Sequence, residues 1–124
     1  MAEKINWNFV VQALNGPSVS GADKLDVEAY EKIDFPILKT ATHDVTLSNI
    51  SKISLLIISS ANADPLITYT GNPALPVGSC KLDAPHIFIG DIAMTFLKAD
   101  TVLTFTNGSV NDTEIQILIG RKTA

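Results

Sequence analysis

In Ile5-Asn6-Trp7-Asn8-Phe9-Val10-Val11-Gln12-Ala13 every odd position is apolar, and three of the four even positions are polar. A period of two predicts a half-buried strand, with Ile5, Trp7, Phe9 and Val11 on its core side. Asn15-Gly16-Pro17-Ser18 supplies the turn chemistry that ends it. The alternation returns from Leu25 to Leu38. Leu25, Val27, Ala29, Ile33, Phe35 and Ile37 share one parity, against Asp26, Glu28, Lys32 and Asp34 on the other. Tyr30 and Glu31 interrupt this pattern, and the helical spacing of Leu25, Ala29, Tyr30 and Ile33 competes over the first half. A helix would have to stop before Pro36, whereas the alternation continues through Phe35, so a strand is expected.

Further along, Asp44 to Leu47 reads as a short strand. Ile53-Ser54-Leu55-Leu56-Ile57-Ile58-Ser59 is apolar on both parities, which predicts a central strand covered on both faces. Asn62-Ala63-Asp64-Pro65 is a turn, and Leu66 to Thr70 a strand. The segment Gly71 to Gly78, with two prolines and two glycines, reads as a loop. His86 to Ile89 is a strand, Gly90-Asp91 a turn, and Ile92 to Leu97 a short strand or connecting segment. Thr101 to Thr106 is expected to pair with Thr113 to Ile119 as a hairpin across Asn107-Gly108-Ser109-Val110-Asn111-Asp112. A likeness between Asp44-Val45-Thr46-Leu47 and Asp91-Ile92-Ala93-Met94 reads as hairpin grammar, not duplication.

About eight or nine strands at roughly ten-residue spacing, without a long helix, predict one all-β domain over residues 1–124. The expected fold is an antiparallel sandwich, jelly-roll-like in connection. At 124 residues, 46% apolar and 18% charged, the chain can bury a core without disulfide or metal staples. So high an apolar fraction raises a question: either the core consumes it, or part of it coats a subunit interface. Leu56, Ile58, Leu103 and Phe105 are the candidate interface residues.

The net charge of −4 and scattered basic residues argue against a phosphate-tracking surface, so nucleic acid is not an expected partner. Arg121-Lys122, the one adjacent basic pair, reads as a solvated tail. No basic n-region precedes an apolar stretch and no run is long enough to span a bilayer, so neither a signal peptide nor a membrane segment is expected. Synthesis in the cytoplasm, with use there or in a virion-type particle, is the expected setting. The sequons at Asn49, Asn107 and Asn111 then read as chance products of a Ser/Thr/Asn-rich chain.

Reactive chemistry is sparse. His43 and Asp44 are neighbours on a strand and point to opposite faces, so they form no couple with each other. His43 and His86 lack metal-ligand spacing, although a mixed site with Asp83 and Asp91 is conceivable. Cys80 is the sole cysteine, so no internal disulfide is available. Its context, Gly78-Ser79-Cys80-Lys81, reads as structural and not nucleophilic. The 107–112 turn offers oxygens to Ca²⁺ without the EF-hand pattern, and hairpin chemistry explains it equally well. No catalytic, cofactor or metal residue is assigned. Tyr30 and Tyr69 are the candidate ligand contacts, since aromatic platforms are what a carbohydrate-binding sandwich would use.

At Leu55-Leu56-Ile57-Ile58-Ser59-Ser60, Leu66-Ile67-Thr68-Tyr69, Ala84-Pro85-His86-Ile87-Phe88-Ile89-Gly90 and Glu114-Ile115-Gln116-Ile117-Leu118-Ile119-Gly120-Arg121 the chain resembles small β-sandwich structural proteins of bacteria and phages. The likeness spans about residues 44–121 and lies in strand texture. It implies a non-enzymatic, self-associating component of a virion or similar particle, with other copies or other particle proteins as partners. A ligand- or glycan-binding module is the alternative expectation.

Overall fold

The computed structural model describes residues 3–12, 14–27, 29–47, 52–72, 75, 78–90, 96–97 and 101–121; along most of the first two strands it describes the backbone alone. Among the described residues ten strands follow in chain order. They are β1 (Glu3–Gln12), β2 (Ser18–Val27), β3 (Ala29–Ile37), β4 (Thr42–Leu47) and β5 (Ile53–Ser60), then β6 (Ile67–Asn72), β7 (Cys80–Lys81), β8 (His86–Ile89), β9 (Thr101–Asn107) and β10 (Thr113–Arg121). Every pairing is antiparallel. One sheet runs β3-β10-β5-β8 and the other β4-β9-β6-β7. Counted from β3 as the first, these orders are first-eighth-third-sixth and second-seventh-fourth-fifth. That is the strand order of a jelly-roll.

Each sheet turns one parity inward. Phe35 and Ile37 of β3, Ile115, Ile117 and Ile119 of β10, and Leu56 and Ile58 of β5 meet Val45, Leu47, Leu103, Phe105, Ile67 and Tyr69 of the opposite sheet. Aromatic rings run through this core in a chain. Phe88 stacks on Phe96 at 4.3 Å, Tyr69 lies 5.2 Å from Phe105, and Phe105 lies 5.6 Å from Phe35.

The structure corrects the expected final hairpin. β9 and β10 are consecutive in the chain but belong to different sheets. In this topology every connection from β3 onward crosses between sheets except the one joining β6 to β7. Residues 108–112 therefore form an inter-sheet crossover, and β9 pairs with β4 and β6. The expected single strand over 25–38 is also two elements. Chain from Ser18 is already extended, and the residues before and after Glu28 take different partners. β1 and β2 pair through ten residue pairs, from Glu3↔Val27 to Gln12↔Ser18, and add no strand to either sheet. The side chain of Trp7, Asp91 and most of the 92–97 segment lie outside the described residues.

β5 does lie inside its sheet, between β10 and β8, as its two apolar parities suggest. A β-bulge accounts for part of that pattern. Gly120 pairs with Leu55 but Arg121 with Ile53, which leaves Ser54 as the extra residue and turns Ile53 inward.

Candidate functional site

The outer faces of the two sheets differ in chemistry. On the β4-β9-β6-β7 sheet the outward parity brings together Thr42 with Thr106, Asp44 with Thr104, Thr104 with Thr70, and Thr68 with Lys81. The Thr104 hydroxyl donates to Asp44 Oδ1 at 2.8 Å. This is a hydroxyl-rich face suited to water.

The other sheet presents aliphatic rows. Lys32, Leu118, Ile57 and Ile87 stand in register across β3, β10, β5 and β8, and Tyr30, Gly120, Leu55 and Ile89 form the adjacent row. Leu55 is buried, and Ile57, Ile89 and Leu118 are half-buried. Tyr30 and Ile87, at the two edges, are 58% and 55% exposed. The exposed apolar side chains of this face thus stand at its two edges, with half-buried or buried residues between them.

A second exposed group sits at one end of the sandwich, where the 38–41, 61–66 and 108–112 connections gather. Asn107 organises this end from a fully buried position. Its Nδ2 donates to the carbonyls of Ile37, at 3.0 Å, and Asn111, at 2.8 Å, while its Oδ1 accepts from the Ser109 amide and hydroxyl. Its backbone exchanges bonds with Thr40 and Ala41, and the Gly108 amide donates to the Leu66 carbonyl. Around this network Leu38, Leu66 and Val110 are held in water, the last 81% exposed.

These positions differ from the candidates read from sequence. Leu56, Ile58, Leu103 and Phe105 are fully buried between the sheets, so the single chain already covers them and they are not an interface. Tyr69 is likewise fully buried and cannot be a ligand platform. Tyr30 is exposed, opposite Gly120, whose missing side chain leaves that side of the strand pair low.

The two histidines do not meet. His43 stacks on Phe35 with ring centroids 4.0 Å apart, at the β3/β4 edge. At the opposite edge His86 Nδ1 lies 2.7 Å from the Tyr69 hydroxyl, a bond that ties β8 of one sheet to β6 of the other. Burial pushes the Tyr69 phenol well above its ordinary range, and the neighbouring Cys80 adds to the shift. Burial raises the Cys80 thiol too, although its hydrogen bond with Tyr69 works the other way. A thiol held protonated is a poor nucleophile, so this trio fastens the edge of the sandwich.

Among the described residues no three His, Cys, Asp or Glu side chains gather as a metal site. In the 107–112 crossover Asn107 Oδ1 and the Asn111 carbonyl accept bonds from within it, Asp112 Oδ1 accepts from the Lys39 amide, and burial of Asn107 closes that sequon. Among the described residues no helix is long and apolar enough to cross a membrane. Sequence reasoning missed Ile87, Leu118 and Asn107. The double apolar parity of β5 signalled a covered outer face, but only the register shows which neighbours share it.

Comparison with known proteins finds no match: no family model fits the chain, and no curated protein or solved structure is similar to it. The class of protein is therefore defined by the architecture alone, an all-β jelly-roll sandwich.

Proposed function

We propose that this chain is a structural or assembly protein that works by self-association, as a virion-type component would, and not by catalysis. The observation that carries this reading is the asymmetry of its outer faces. One is lined with threonine, and the other carries Tyr30, Leu118, Ile57, Ile87 and Ile89 in adjoining register. A jelly-roll suits such a role because its two sheets close over one core and leave whole faces free for lateral contacts. Capsid and lectin domains both use the architecture, so the fold supports the reading by analogy only.

Sedimentation velocity at tens of micromolar tests it. The chain should sediment as an assembly, and Ile87→Asp should shift it toward the single chain without loss of β structure. A wild-type monomer would overturn the proposal.

One observation favours a second reading, a glycan-binding module: the exposed Tyr30 ring stands beside a glycine. That reading requires glycan binding that Tyr30→Ala abolishes.

A further inference from the structure

The chain holds two Asn-Gly pairs, Asn15-Gly16 and Asn107-Gly108. Asparagine before glycine is especially prone to spontaneous deamidation, because no side chain on the glycine hinders its amide nitrogen from reaching the asparagine side chain. The fold places the two pairs in opposite surroundings. Asn15 and Gly16 lie exposed between β1 and β2, with Asn15 at a φ of 58°. Asn107 is fully buried at the end of β9.

We propose that Asn107-Gly108 is a self-modifying site that the native fold holds silent, so that its conversion records unfolding and bars the converted chain from the jelly-roll. In the reaction the Gly108 amide nitrogen attacks Asn107 Cγ. The new N–Cγ bond closes a five-membered imide, the Cγ–Nδ2 bond breaks, and Nδ2 leaves as ammonia, taking up the Gly108 amide proton. Water then opens the ring at either carbonyl, giving aspartate or isoaspartate, and no oxidant or reductant is needed. The site acts within one chain, whether or not copies associate.

Three features of the native crossover oppose the attack. The Asn107 backbone is held as strand, its amide donating to the Ala41 carbonyl at 3.0 Å and its carbonyl accepting from Thr40 at 2.7 Å. Extended backbone turns the next amide nitrogen away from the side chain. The Gly108 amide itself is engaged by the Leu66 carbonyl at 2.9 Å. Finally, the Asn107 side chain fills every donor and acceptor position it has, through Ile37, Asn111 and Ser109. Swinging Cγ toward Gly108 breaks these buried bonds. The same contacts exclude the products. An aspartate at 107 sets an oxygen where Nδ2 donated, against carbonyls 3.0 and 2.8 Å away, and brings a charge into a fully buried position. Isoaspartate also carries the main chain through Cβ and Cγ, and the lengthened backbone loses register with Ala41 and Leu66. Neither obstacle exists at Asn15, which is exposed and joins strands outside both four-stranded sheets.

Peptide mass spectrometry at both asparagines tests the proposal on the full-length chain, held at one mildly alkaline pH in native buffer and in urea. In urea the two should convert at comparable rates. In native buffer Asn15 should still convert, while Asn107 does so at least roughly a hundredfold more slowly than in urea, since only the opened fraction reacts. After urea is removed, chains converted at Asn107 should collect in the non-native fraction, and chains converted only at Asn15 in the native one. Asn107→Asp should likewise lower the urea midpoint, and Asn15→Asp should leave it in place. Conversion of Asn107 at one rate in both buffers would overturn the protection. An Asn107 that stays intact in urea would overturn the site itself. Converted chains that refold with the wild-type midpoint would overturn the bar to refolding.

Discussion

The Asn107 side-chain amide donates to the Ile37 carbonyl at 3.0 Å, joining residues 70 apart in the chain. It fastens the start of the last crossover to the end of β3, the place where the chain passes from one sheet to the other. Replacing Asn107 with Leu keeps the approximate volume but takes the side-chain partner from the Ile37 carbonyl and the Ser109 amide, while the Ser109 hydroxyl keeps only its bond to the Asn111 carbonyl. Leaving such buried groups unpaired should cost about 3 kcal/mol. Urea unfolding, with an unchanged slope and a lowered midpoint, would check it. An unchanged midpoint would show that the network is incidental.

Gly108, the next residue, is required by contact and not by its dihedral angle. A Cβ built there would lie 2.9 Å from the Leu66 carbonyl oxygen, the acceptor of the Gly108 amide. Gly108→Ala should therefore push the crossover off the 61–66 connection, at a cost of about 1–3 kcal/mol. Gly90, with φ of +83° and nothing within 4 Å of a Cβ, should lose only about 1 kcal/mol on the same change. Thermal unfolding of the two variants side by side would show Gly108→Ala as the more damaging.

The strand inventory explains how far such contacts could be read from sequence alone. Alternation along β10 and the double apolar parity of β5 are local signals, and both elements stand where expected. The β9–β10 misreading has a physical cause. Asn-Gly between two alternating runs is hairpin chemistry. What overrides it is the burial of Asn107, a tertiary fact invisible in a two-residue pattern. The candidate interface failed for a related reason. Both parities of β5 are apolar, so composition could not show that Leu56 and Ile58 face inward while Ile57 faces out. Cross-strand register with Ile117, Ile119 and Leu118 settles that, and register is non-local.

Because Leu103 and Phe105 are core residues, their truncation should act on folding and not on association. Phe105→Ala should cost about 4 kcal/mol, since the ring lies between Phe35 and Tyr69. Leu103→Ala should cost about 3 kcal/mol. The association constant of the folded fraction should be unchanged in both. Dissociation without loss of stability would return these residues to an interface.

Alkaline pH should expose the buried edge cluster. Tyr69 and Cys80 are both raised above ordinary values of 10.0 and 9.0. Well below pH 9 both groups are protonated whether the chain is folded or not, and their contribution is constant. As pH rises through the ordinary values, the unfolded chain releases protons that the folded chain retains, so stability falls. Tyr69 contributes a decline of at most about 1.4 kcal/mol per pH unit above pH 10. Tyr69→Phe removes that limb, and it also breaks the bond to His86, costing about 1 kcal/mol at neutral pH. Unfolding free energies measured from pH 8 to 11 on both proteins would check the difference. Parallel curves would contradict it.

The central claim is that the aliphatic face around Ile57, Leu118 and Ile87 is a contact between copies of this chain. Sedimentation velocity of the wild type and Ile87→Asp, at matched concentrations near tens of micromolar, tests it most directly. The wild type should sediment well above its 13.3 kDa chain mass, and Ile87→Asp should fall back to that mass with its fold intact. A wild-type protein that sediments at 13.3 kDa across that range would contradict it.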